Sequence, residues 1–420
     1  MSGRHYDQGQ LMKRVYMRRG KLMINSDRLS RRFVTFAQTD SLSRQEGQIA
    51  GKLEKILKGM GAEVIFDNAG EKVGGDCGNL VAKFKGTVDG EPLFLSGHMD
   101  TVEPGRGVKV LFKDGVFTSD GTTILGADDK SALAIILEVM EVIFENNLPY
   151  PPIEVVFTIC EEIGLLGAKH FDYSLLDSKI GYILDSTDTD GVVTQAPAST
   201  KFTISIHGRA SHAGAEPEHG ISAISVAARA INSLTLGRID HETTCNIGKI
   251  QGGKATNIIP EFTSVDGEAR SHDAQKLKSI TDTMIKAFYD AATAFRREGE
   301  TLPRIEVNLD QDYPATNIPE EHEVVVLAKK AAQNLGRPME SKRIGGGADA
   351  NIFFSKNIVA GVLGTGMTAV HTVKESIRLS DMVNTAEVLL EIISIKAAGQ
   401  SVINDDNQAG PQVEAGKTNI

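Results

Sequence analysis

Short apolar runs and one long segment of helical periodicity alternate along the first half of the chain. The runs are rich in β-branched and other apolar residues, which favours strands, and they occupy residues 62–66, 80–84, 93–96, 153–160 and 180–184. Between the third and fourth runs, residues 127–147 repeat apolar positions with a helical period, and Pro151 and Pro152 end the pattern. This order predicts an α/β domain with a mixed, largely parallel sheet flanked by helices.

A shorter helix is predicted before the first strand. Ser43 and Glu46 form an S-x-x-E pattern, which is typical of a capping box at a helix N-terminus. Apolar residues follow at helical spacing, and Gly59 and Gly61 are expected to end the helix. We therefore expect Ser43 and Glu46 to act locally, on the first turn of this helix.

The pattern changes after about residue 196. Strand-like and helical segments follow in the order β-α-β-β-α-β, over residues 201–207, 221–236, 244–251, 264–270, 274–298 and 304–309. That order is typical of a ferredoxin-like α+β unit. The α/β pattern resumes from residue 318 with a helix, a strand and a final helix. We therefore predict a discontinuous domain of residues 25–196 and 311–398, interrupted by an inserted domain of residues 197–310.

The two ends of the chain lack folding signals. Residues 1–24 are basic, and the first 33 residues hold nine Lys or Arg without an apolar stretch, so a secretory signal is not predicted. An Arg-rich leader also resembles an organelle transit peptide, but a solvated basic extension is the favoured interpretation. Residues 399–420 are polar and aperiodic, which predicts a disordered tail.

Composition excludes several classes of protein. The 420 residues include 45 Lys or Arg and 55 Asp or Glu, so the formal net charge is −10. An acidic chain disfavours nucleic-acid binding, and no apolar run is long enough to span a membrane. Three cysteines without C-x-x-C spacing disfavour a disulfide framework and fit a reducing cytoplasm. We predict a cytoplasmic protein that binds neither nucleic acid nor membranes, with Cys160 as a core residue rather than a nucleophile.

Acidic and imidazole side chains follow three of the predicted strands. His98 and Asp100 follow residues 93–96, Glu161 and Glu162 follow residues 153–160, and Asp185 follows residues 180–184. Open α/β sheets bind ligands beyond the carboxyl ends of their strands, so these groups are expected at one edge. Asp128 opens the long helix and adds another carboxylate. Crowded carboxylates repel one another and stay protonated unless a divalent cation neutralises them. The pattern thus favours a metal site.

Spacing suggests different roles within these pairs. His98 and Asp100 lie on the same side of an extended segment, so the Asp can orient the imidazole while its other nitrogen binds metal. Glu161 and Glu162 point in different directions, so one can bind metal while the other acts as a general base. Taken singly, each pair is also compatible with an ordinary polar loop or a solvated turn.

Five motifs in this order resemble a known family. They are GHMDTV (97–102), GADDK (126–130), EEIGLLGAK (161–169), LDS (184–186) and AVHTVKE (369–375). The chain is similar, over about residues 25–397, to the zinc-dependent exopeptidases and amidohydrolases that include peptidase T, glutamate carboxypeptidase and aminoacylase. GADDKSALAIILE (126–138) and the overall length are most like the peptidase T-like tripeptide aminopeptidases.

The resemblance implies a role for each residue of the site. Two divalent metal ions would be held by five ligands, with Asp128 bridging both, His98 and Asp185 on one ion, and Glu162 and His371 on the other. Glu161 would be the general base, and Asp100 would orient His98. An Asp at position 185, rather than a Glu, leans toward the aminopeptidases of the family.

Charge and donor type support this ligand set. Two divalent ions are neutralised by three carboxylates and one bridging hydroxide, which suits a metal-bound hydroxide at neutral pH. Nitrogen and oxygen donors fit Zn²⁺, with Co²⁺ or Mn²⁺ possible. The expected reaction uses Glu161 to take the proton of water and to deliver it to the leaving amine.

The resemblance also implies substrate contacts. His212 would stabilise the oxyanion, and in dimeric relatives the equivalent residue reaches across from the partner subunit, so the inserted domain is expected to be a lid or dimerisation domain. Asn257 and Arg270 match positions that contact substrate carbonyl or carboxylate groups, and Gly346 lies in a Gly-rich substrate loop. That loop departs from the family in having Ala348 where Ser or Thr is usual. A loop histidine, a turn cap and a surface charge are the alternatives for His212, Asn257 and Arg270.

Three hypotheses for the function follow. The favoured one is a di-metal aminopeptidase that acts on short peptides. An N-acyl or N-succinyl amino-acid amidohydrolase on the same site is the alternative among enzymes. A catalytically silent metal-binding scaffold is the alternative from another class, and the presence of Glu161 argues against it. The triple glycine of residues 345–347 lacks the G-K-[ST] ending of a phosphate loop.

Overall fold

The computed structural model describes residues 24–408, with side chains described to residue 399. The predicted basic leader therefore lies outside the described residues, apart from Ile24. Within the described residues, the backbone divides into two compact units. The first unit comprises residues 24–192, 320–341 and 357–408, and the second unit comprises residues 193–319 and 342–356.

The strands are, in chain order, β1 (Glu63–Phe66), β2 (Leu80–Phe84), β3 (Leu93–His98), β4 (Leu111–Lys113), β5 (Val116–Thr118), β6 (Ile153–Thr158), β7 (Ile180–Ser186), β8 (Gly191–Ala196), β9 (Ala198–His207), β10 (Gly237–Arg238), β11 (Thr243–Gly252), β12 (Phe262–Ser271), β13 (Arg304–Tyr313), β14 (Thr316–Asn317), β15 (Glu340–Arg343), β16 (Val359–Gly364) and β17 (Ser376–Arg378). The helices are α1 (Ser26–Ala37), α2 (Gly47–Gly59), α3 (Ala69–Val73), α4 (Ala127–Glu145), α5 (Leu166–His170), α6 (Ala223–Asn232), α7 (Ala274–Phe295), α8 (Glu323–Asn334), α9 (Asp349–Ser355) and α10 (Leu379–Gln408).

The sheet of the first unit confirms the predicted fold class. Its strands lie in the order β1-β2-β6-β3-β7-β16. Strands β6, β3, β7 and β16 are parallel, whereas β1 and β2 are antiparallel to their neighbours. Every residue of β3 and β6 is buried, as expected of central strands covered by helices on both faces.

Helix α4 packs against β3 and against the first and last helices of the unit. The sequence analysis did not predict α1, which docks through an ion pair of 2.6 Å between Arg28 Nε and the fully buried Glu138 of α4. The last helix continues to Gln408, so the prediction of a disordered tail from residue 399 is wrong for its first ten residues. Gly399 lies inside that helix, since one glycine costs a helix only about 1 kcal/mol. Residues 409–420 lie outside the described part.

The second unit is built on one antiparallel sheet, in the order β10-β11-β12-β9-β13. Its core gathers apolar side chains of the strands and of α6 and α7, including Phe202, Val226, Val265 and Phe288. Apart from the two-residue β10, the chain order β9-α6-β11-β12-α7-β13 matches the predicted ferredoxin-like order.

The boundaries of the units differ from the predicted domains at residues 342–356, which we assigned to the first domain. Hydrogen bonds explain why this segment belongs to the second unit. The Asn351 side chain donates to the carbonyls of Pro197 (3.2 Å) and Pro314 (2.7 Å), and the Ile344 N–H donates to Gln195 O (3.0 Å). None of the helices within residues 24–408 is both long and apolar enough to cross a membrane.

Candidate metal centre

The carboxyl ends of three parallel strands bring the predicted residues to one edge of the first unit. In the register of the sheet, His98 at the end of β3 lies beside Thr158 of β6, and Ser96 lies beside Ile183 of β7. The residues that follow β6, and Asp185 near the end of β7, therefore emerge at the same edge as His98. The sequence-based expectation that these strands end together is met.

A tight group of ligand atoms lies at this edge. Nε2 of His98 is 3.0 Å from Asp128 Oδ1, and Nε2 of His371 is 3.3 Å from Asp128 Oδ2. His371 Nε2 is also 2.9 Å from Glu162 Oε2. One ligand atom each from His98, Asp128 and Glu162 all lie within 4.8 Å of one another. Asp128 thus presents one carboxylate oxygen to each histidine, which is the placement that a bridging ligand needs.

Exposure differs across this group. The side chains of His98, Glu162 and Asp128 are 2%, 6% and 10% exposed, whereas His371 is 51% exposed. Of these four side chains, His371 is therefore the one most open to solvent.

Asp100 makes two sets of contacts, and only the contact with His98 was predicted from the sequence. His98 Nδ1 lies 3.0 Å from the Asp100 carbonyl and 3.4 Å from Asp100 Oδ1, so this residue does contact the ring that it was expected to orient. Its carboxylate also accepts the N–H groups of Glu161 (2.9 Å) and Glu162 (3.2 Å). Burial raises the pKa of Asp100, but the hydrogen bonds with His98, Ser43 and the Glu161 N–H and the charge of His98 together outweigh burial and lower the pKa. An ionised Asp100 therefore fixes the backbone of both glutamates.

The predicted capping box is wrong, because both of its side chains serve this scaffold. Ser43 Oγ donates to Asp100 Oδ2 (2.6 Å), and Glu46 Oε1 accepts the N–H of Cys160 (2.9 Å). Glu46 is the N-cap residue of α2 but does not cap the helix with its own side chain, and the N–H of Gly47 donates to Asp76 Oδ1 (2.8 Å) instead. Cys160 has a left-handed backbone (φ 53°), so the turn into Glu161 is held in an uncommon conformation by long-range contacts.

The pKa values of Glu46 and Cys160 show that the cysteine is not a nucleophile. Burial raises the pKa of Glu46 to about 7. Burial also raises the pKa of the Cys160 thiol far above its usual range, and the charge of Glu46 adds to the effect. The cysteine therefore stays protonated at neutral pH, which agrees with its interpretation as a core residue.

The two histidines are held as cations by the surrounding carboxylates. Hydrogen bonds with Asp128 and Glu162 raise the pKa of His371 to about 10. Burial by itself lowers the pKa of His98, but hydrogen bonds with Asp100 and Asp128 raise it well above its usual value. Protons thus balance the acidic charge here, and a divalent cation would displace them on binding. Imidazole nitrogens and carboxylate oxygens in this arrangement fit a Zn²⁺-like ion.

Glu161 and Asp185 lie next to the tight group. The charge of Glu161 helps to raise the pKa of His98, and Glu161 is half-buried. Asp185 is also half-buried, and its charge adds to the burial that raises the pKa of Asp129. Glu161 therefore lies within electrostatic range of His98, and Asp185 within electrostatic range of Asp129, whose side chain accepts the N–H of His98.

Two buried acids at the centre were missed by the sequence analysis. Asp129 is fully buried, and its Oδ2 accepts the N–H of His98 (3.2 Å). Glu375 is 1% exposed and accepts backbone N–H groups of the segment that carries Asp128. Both stand within quoted motifs, so the signal was present but was assigned only to neighbouring residues.

In the second unit, two of the predicted substrate residues lie on adjoining loops. The Ala213 N–H donates to the carbonyl of Asn257 (2.9 Å), which joins the loop of His212 to the loop of Asn257. Nδ1 of the exposed His212 accepts the N–H groups of Gly214 (3.2 Å) and Ala215 (3.0 Å). A neutral His212 therefore carries its proton on Nε2, where it can donate to a ligand.

Arg270 lies at the other end of the same sheet. It is near the end of β12, eight residues beyond Phe262, which is roughly 26 Å along a strand. Its guanidinium donates to Glu268 Oε2 (3.0 Å). The structure therefore separates Arg270 from the loops of His212 and Asn257.

In the Gly-rich loop, packing requires glycine at position 347 and leaves open space at Gly346, whose expected substrate contact stays a prediction. A Cβ at Gly346 would meet no atom within 4 Å, whereas a Cβ at Gly347 would lie 2.4 Å from the ring of Tyr313. Close packing against Tyr313 thus demands glycine at position 347.

Comparisons with known proteins agree with this geometry. The model of peptidase family M20/M25/M40 matches residues 94–395. The protein YqjE of Bacillus subtilis (strain 168) is 39% identical over 372 residues, which are 88% of this chain and 99% of YqjE. Two solved structures, a tripeptidase from Staphylococcus aureus subsp. aureus Mu50 and aminopeptidase PepT from Bacillus cereus ATCC 10987, are each 38% identical, with TM-scores of 0.83 and 0.79. Each aligns with 90% of this chain and 100% of its own.

Proposed function

The chain belongs to peptidase family M20/M25/M40, as its motifs indicated, and we propose that it removes the N-terminal residue from short peptides at a two-metal site. The observation that carries the proposal is the group formed by His98, Asp128, Glu162 and His371, in which one carboxylate faces two imidazoles. The similar structures named as a tripeptidase and an aminopeptidase favour short peptides with a free N-terminus.

Five side chains would hold the two ions. Asp128 would bridge both ions, and the other ligands would be His98, Asp185, Glu162 and His371. Their donor types favour Zn²⁺, with Co²⁺ or Mn²⁺ as alternatives. Divalent ions at this position would supply a Lewis acid for the scissile carbonyl and would lower the pKa of water.

Glu161 is the proposed general base. Its backbone N–H is held by Asp100, and the neighbouring N–H of Glu162 is held by the same carboxylate, so ligand and base keep a fixed relation. The Glu161 carboxylate would take a proton from the attacking water and pass it to the nitrogen of the leaving amine.

His212 is proposed to donate from Nε2 to the oxyanion in the active site of a second copy of this chain. A tripeptide spans about 10 Å when extended, whereas the loop of His212 and Arg270 are separated by most of the length of β12. One substrate touched by both residues would therefore need them from two copies, which supports the proposal of a homodimer through the second unit.

The test of the function uses metal-depleted protein. Zn²⁺, Co²⁺ or Mn²⁺ is added back, and the products from tripeptides and from N-acyl and N-succinyl amino acids are identified by mass spectrometry. We expect metal-dependent release of the N-terminal residue from tripeptides. Preference for N-blocked substrates would favour the amidohydrolase alternative, and metal binding without turnover of either class would favour a silent scaffold.

A hybrid experiment tests the shared site. Glu161→Gln and His212→Ala should each be nearly inactive, and mixed dimers would pair an intact Glu161 with an intact His212. Recovery of up to about one quarter of wild-type activity on mixing is expected for a two-fold dimer with shared sites. Absence of recovery, with subunit exchange verified, would contradict the shared arrangement.

A further inference from the structure

We propose that Glu375 is a positioning residue of the metal centre, which locks the segment bearing Asp128 to the turn bearing His371. The inference rests on the proposed function, because it concerns how two of the proposed metal ligands keep their mutual distance. Its evidence is a set of backbone hydrogen bonds that join parts of the chain almost 250 residues apart.

The carboxylate of Glu375 accepts three backbone N–H groups from one short segment. Oε2 accepts from Leu125 (2.8 Å) and Gly126 (2.7 Å), and Oε1 accepts from Asp128 (3.0 Å). The side chain is 1% exposed, so water does not compete for these donors. A buried carboxylate is tolerated only when it is well hydrogen-bonded, and these three donors meet that need.

The segment that Glu375 holds has no cap of its own. Gly126 is the N-cap of α4, has a left-handed backbone (φ 74°) and lacks a side chain that could accept N–H groups. Asp128 departs from helical geometry (φ −80°, ψ 102°), so the N–H groups of this segment are not paired by a regular helix and, being buried, need another acceptor. Glu375 provides that acceptor from a distant part of the chain, and thereby sets the position of Asp128.

Glu375 itself lies in a compact turn, residues 368–376, which also carries His371. Backbone hydrogen bonds in both directions between Thr368 and Ser376 (2.9 and 3.1 Å) close it at its base, and Glu375 N–H donates to Thr372 O (3.1 Å) inside it. His371 lies at the tip with φ 61°, half exposed. Glu375 is therefore the buried anchor of the turn that carries the most exposed of the proposed ligands.

This arrangement explains how an exposed histidine can face Asp128 at 3.3 Å. If the carboxylate were lost, the segment at residues 125–128 and the turn at residues 368–376 would keep the side-chain contact between Asp128 and His371, but the backbones that carry the two ligands would no longer be tied together by Glu375. Loss of partners that orient metal ligands commonly lowers metal affinity or activity about 10- to 100-fold.

The experiment compares Glu375→Gln with Glu154→Gln. Glu154 is a matched control, because it is also a buried glutamate (3% exposed) that accepts backbone N–H groups, those of Asp177 (3.1 Å) and Ser178 (2.8 Å). It stands near the start of β6, at the opposite end from Glu161. Zn²⁺ affinity of the metal-depleted proteins is measured by competition with a chromogenic chelator, and amide hydrogen exchange is measured without metal.

We expect Glu375→Gln to weaken Zn²⁺ binding about 10- to 100-fold, and Glu154→Gln to leave it within about two-fold. Exchange should accelerate at Leu125, Gly126 and Asp128 in Glu375→Gln, and not at Glu161 or Glu162. At saturating Zn²⁺, kcat on a tripeptide should fall while KM changes little, since the ligands rather than the substrate contacts are displaced.

The outcomes separate this inference from the proposed function. Unchanged Zn²⁺ affinity in Glu375→Gln, with tight binding by the wild type, would overturn the role of Glu375 and leave the function intact. An equal loss in Glu154→Gln would also overturn it, since the effect would then belong to any buried carboxylate. A wild-type protein that binds no divalent cation would overturn both. If Glu375→Gln does not fold, Glu375→Asp, which keeps the charge but shortens the reach by one methylene, is judged by the same criteria.

Discussion

The sheet edge of the first unit buries the carboxylates of Asp100, Asp128 and Glu375, whereas the second unit carries its candidate substrate groups at or near the surface. Counted over the whole residue, these three acids are each at most 8% exposed. His212 and Asn257 are exposed, and Arg270 is half-buried. Side-chain partners differ in the same way. The buried carboxylates accept N–H groups from distant parts of the chain, while His212 Nδ1 bonds only two and three residues ahead.

This difference separates groups that are ordered before any ligand binds from groups that a ligand or partner must position. A site held by buried carboxylates and backbone N–H groups loses little freedom on binding metal. An exposed loop histidine has a fixed tautomer, but its place relative to a substrate depends on other contacts. Loss of the metal centre should therefore remove activity outright, whereas single changes at Glu161 or at His212 should each lower kcat by about 10²-fold or more.

The largest effect should follow removal of metal. We expect dialysis against a chelator to abolish peptide hydrolysis, because the Lewis acid that activates water is lost, and addition of Zn²⁺, Co²⁺ or Mn²⁺ to restore it. Rates before chelation, after chelation and after re-addition are measured together with metal content. Full activity in protein proven free of metal would contradict the proposal that the first unit contains a catalytic metal centre.

Replacement of the proposed base should come next. Glu161→Gln should lower kcat by at least about 10²-fold, the usual scale for loss of a general base, while Zn²⁺ stoichiometry stays as in the wild type. Turnover and metal content are measured on the same preparation. Near-wild-type turnover would show that the proton of water goes elsewhere.

In the second unit, His212→Ala should cost about 10²- to 10³-fold in kcat, the range for loss of one donor to an oxyanion. His219→Ala is the control, since His219 is exposed in the same loop and its Nδ1 lies 3.5 Å from Oε2 of the nearby Glu216. The tripeptide assay should find the control unchanged. Equal effects of the two variants would assign the loss to the loop and not to the imidazole of His212.

The smallest effect should be on stability, through Glu46. Its pKa is about 7 in the folded protein and near 4.5 in the unfolded chain, so the folded state binds the proton more tightly. The free energy of unfolding should therefore fall as pH rises from about 4.5 to about 7, and Glu46→Gln should remove that part of the slope. Urea unfolding at several pH values, with chelator present, measures the difference between the proteins.

Glu54→Gln is the control for that measurement, because Glu54 lies on the surface of α2 and pairs with Lys58 (2.7 Å). Its slope should match the wild type. A Glu46→Gln protein with the wild-type slope would show that the buried carboxylate does not titrate in this range.

Local pattern determined the architecture and the position of most of the site. The strands after which His98, Glu161 and Asp185 stand were found within a few residues of their observed bounds, because alternation and β-branching act over short stretches of chain. Since parallel strands end together, their order in the chain was enough to gather these residues at one edge. The roles of Asp128 and His371 came from the resemblance to a family, and their approach to each other came from the fold.

Tertiary structure alone decided which carboxylate holds which backbone. Ser43 bonds to a residue 57 positions away, Glu46 to one 114 away, and Glu375 to one 247 away. The S-x-x-E pattern misled because a serine and a glutamate that can cap their own helix can equally satisfy any buried donor that packing brings near. The need for glycine at position 347 could not be predicted from the sequence either, because it arises from the packing of the Tyr313 ring against that residue. Periodicity carries information over a few residues, whereas the choice of a hydrogen-bond partner in the interior depends on the whole packed chain.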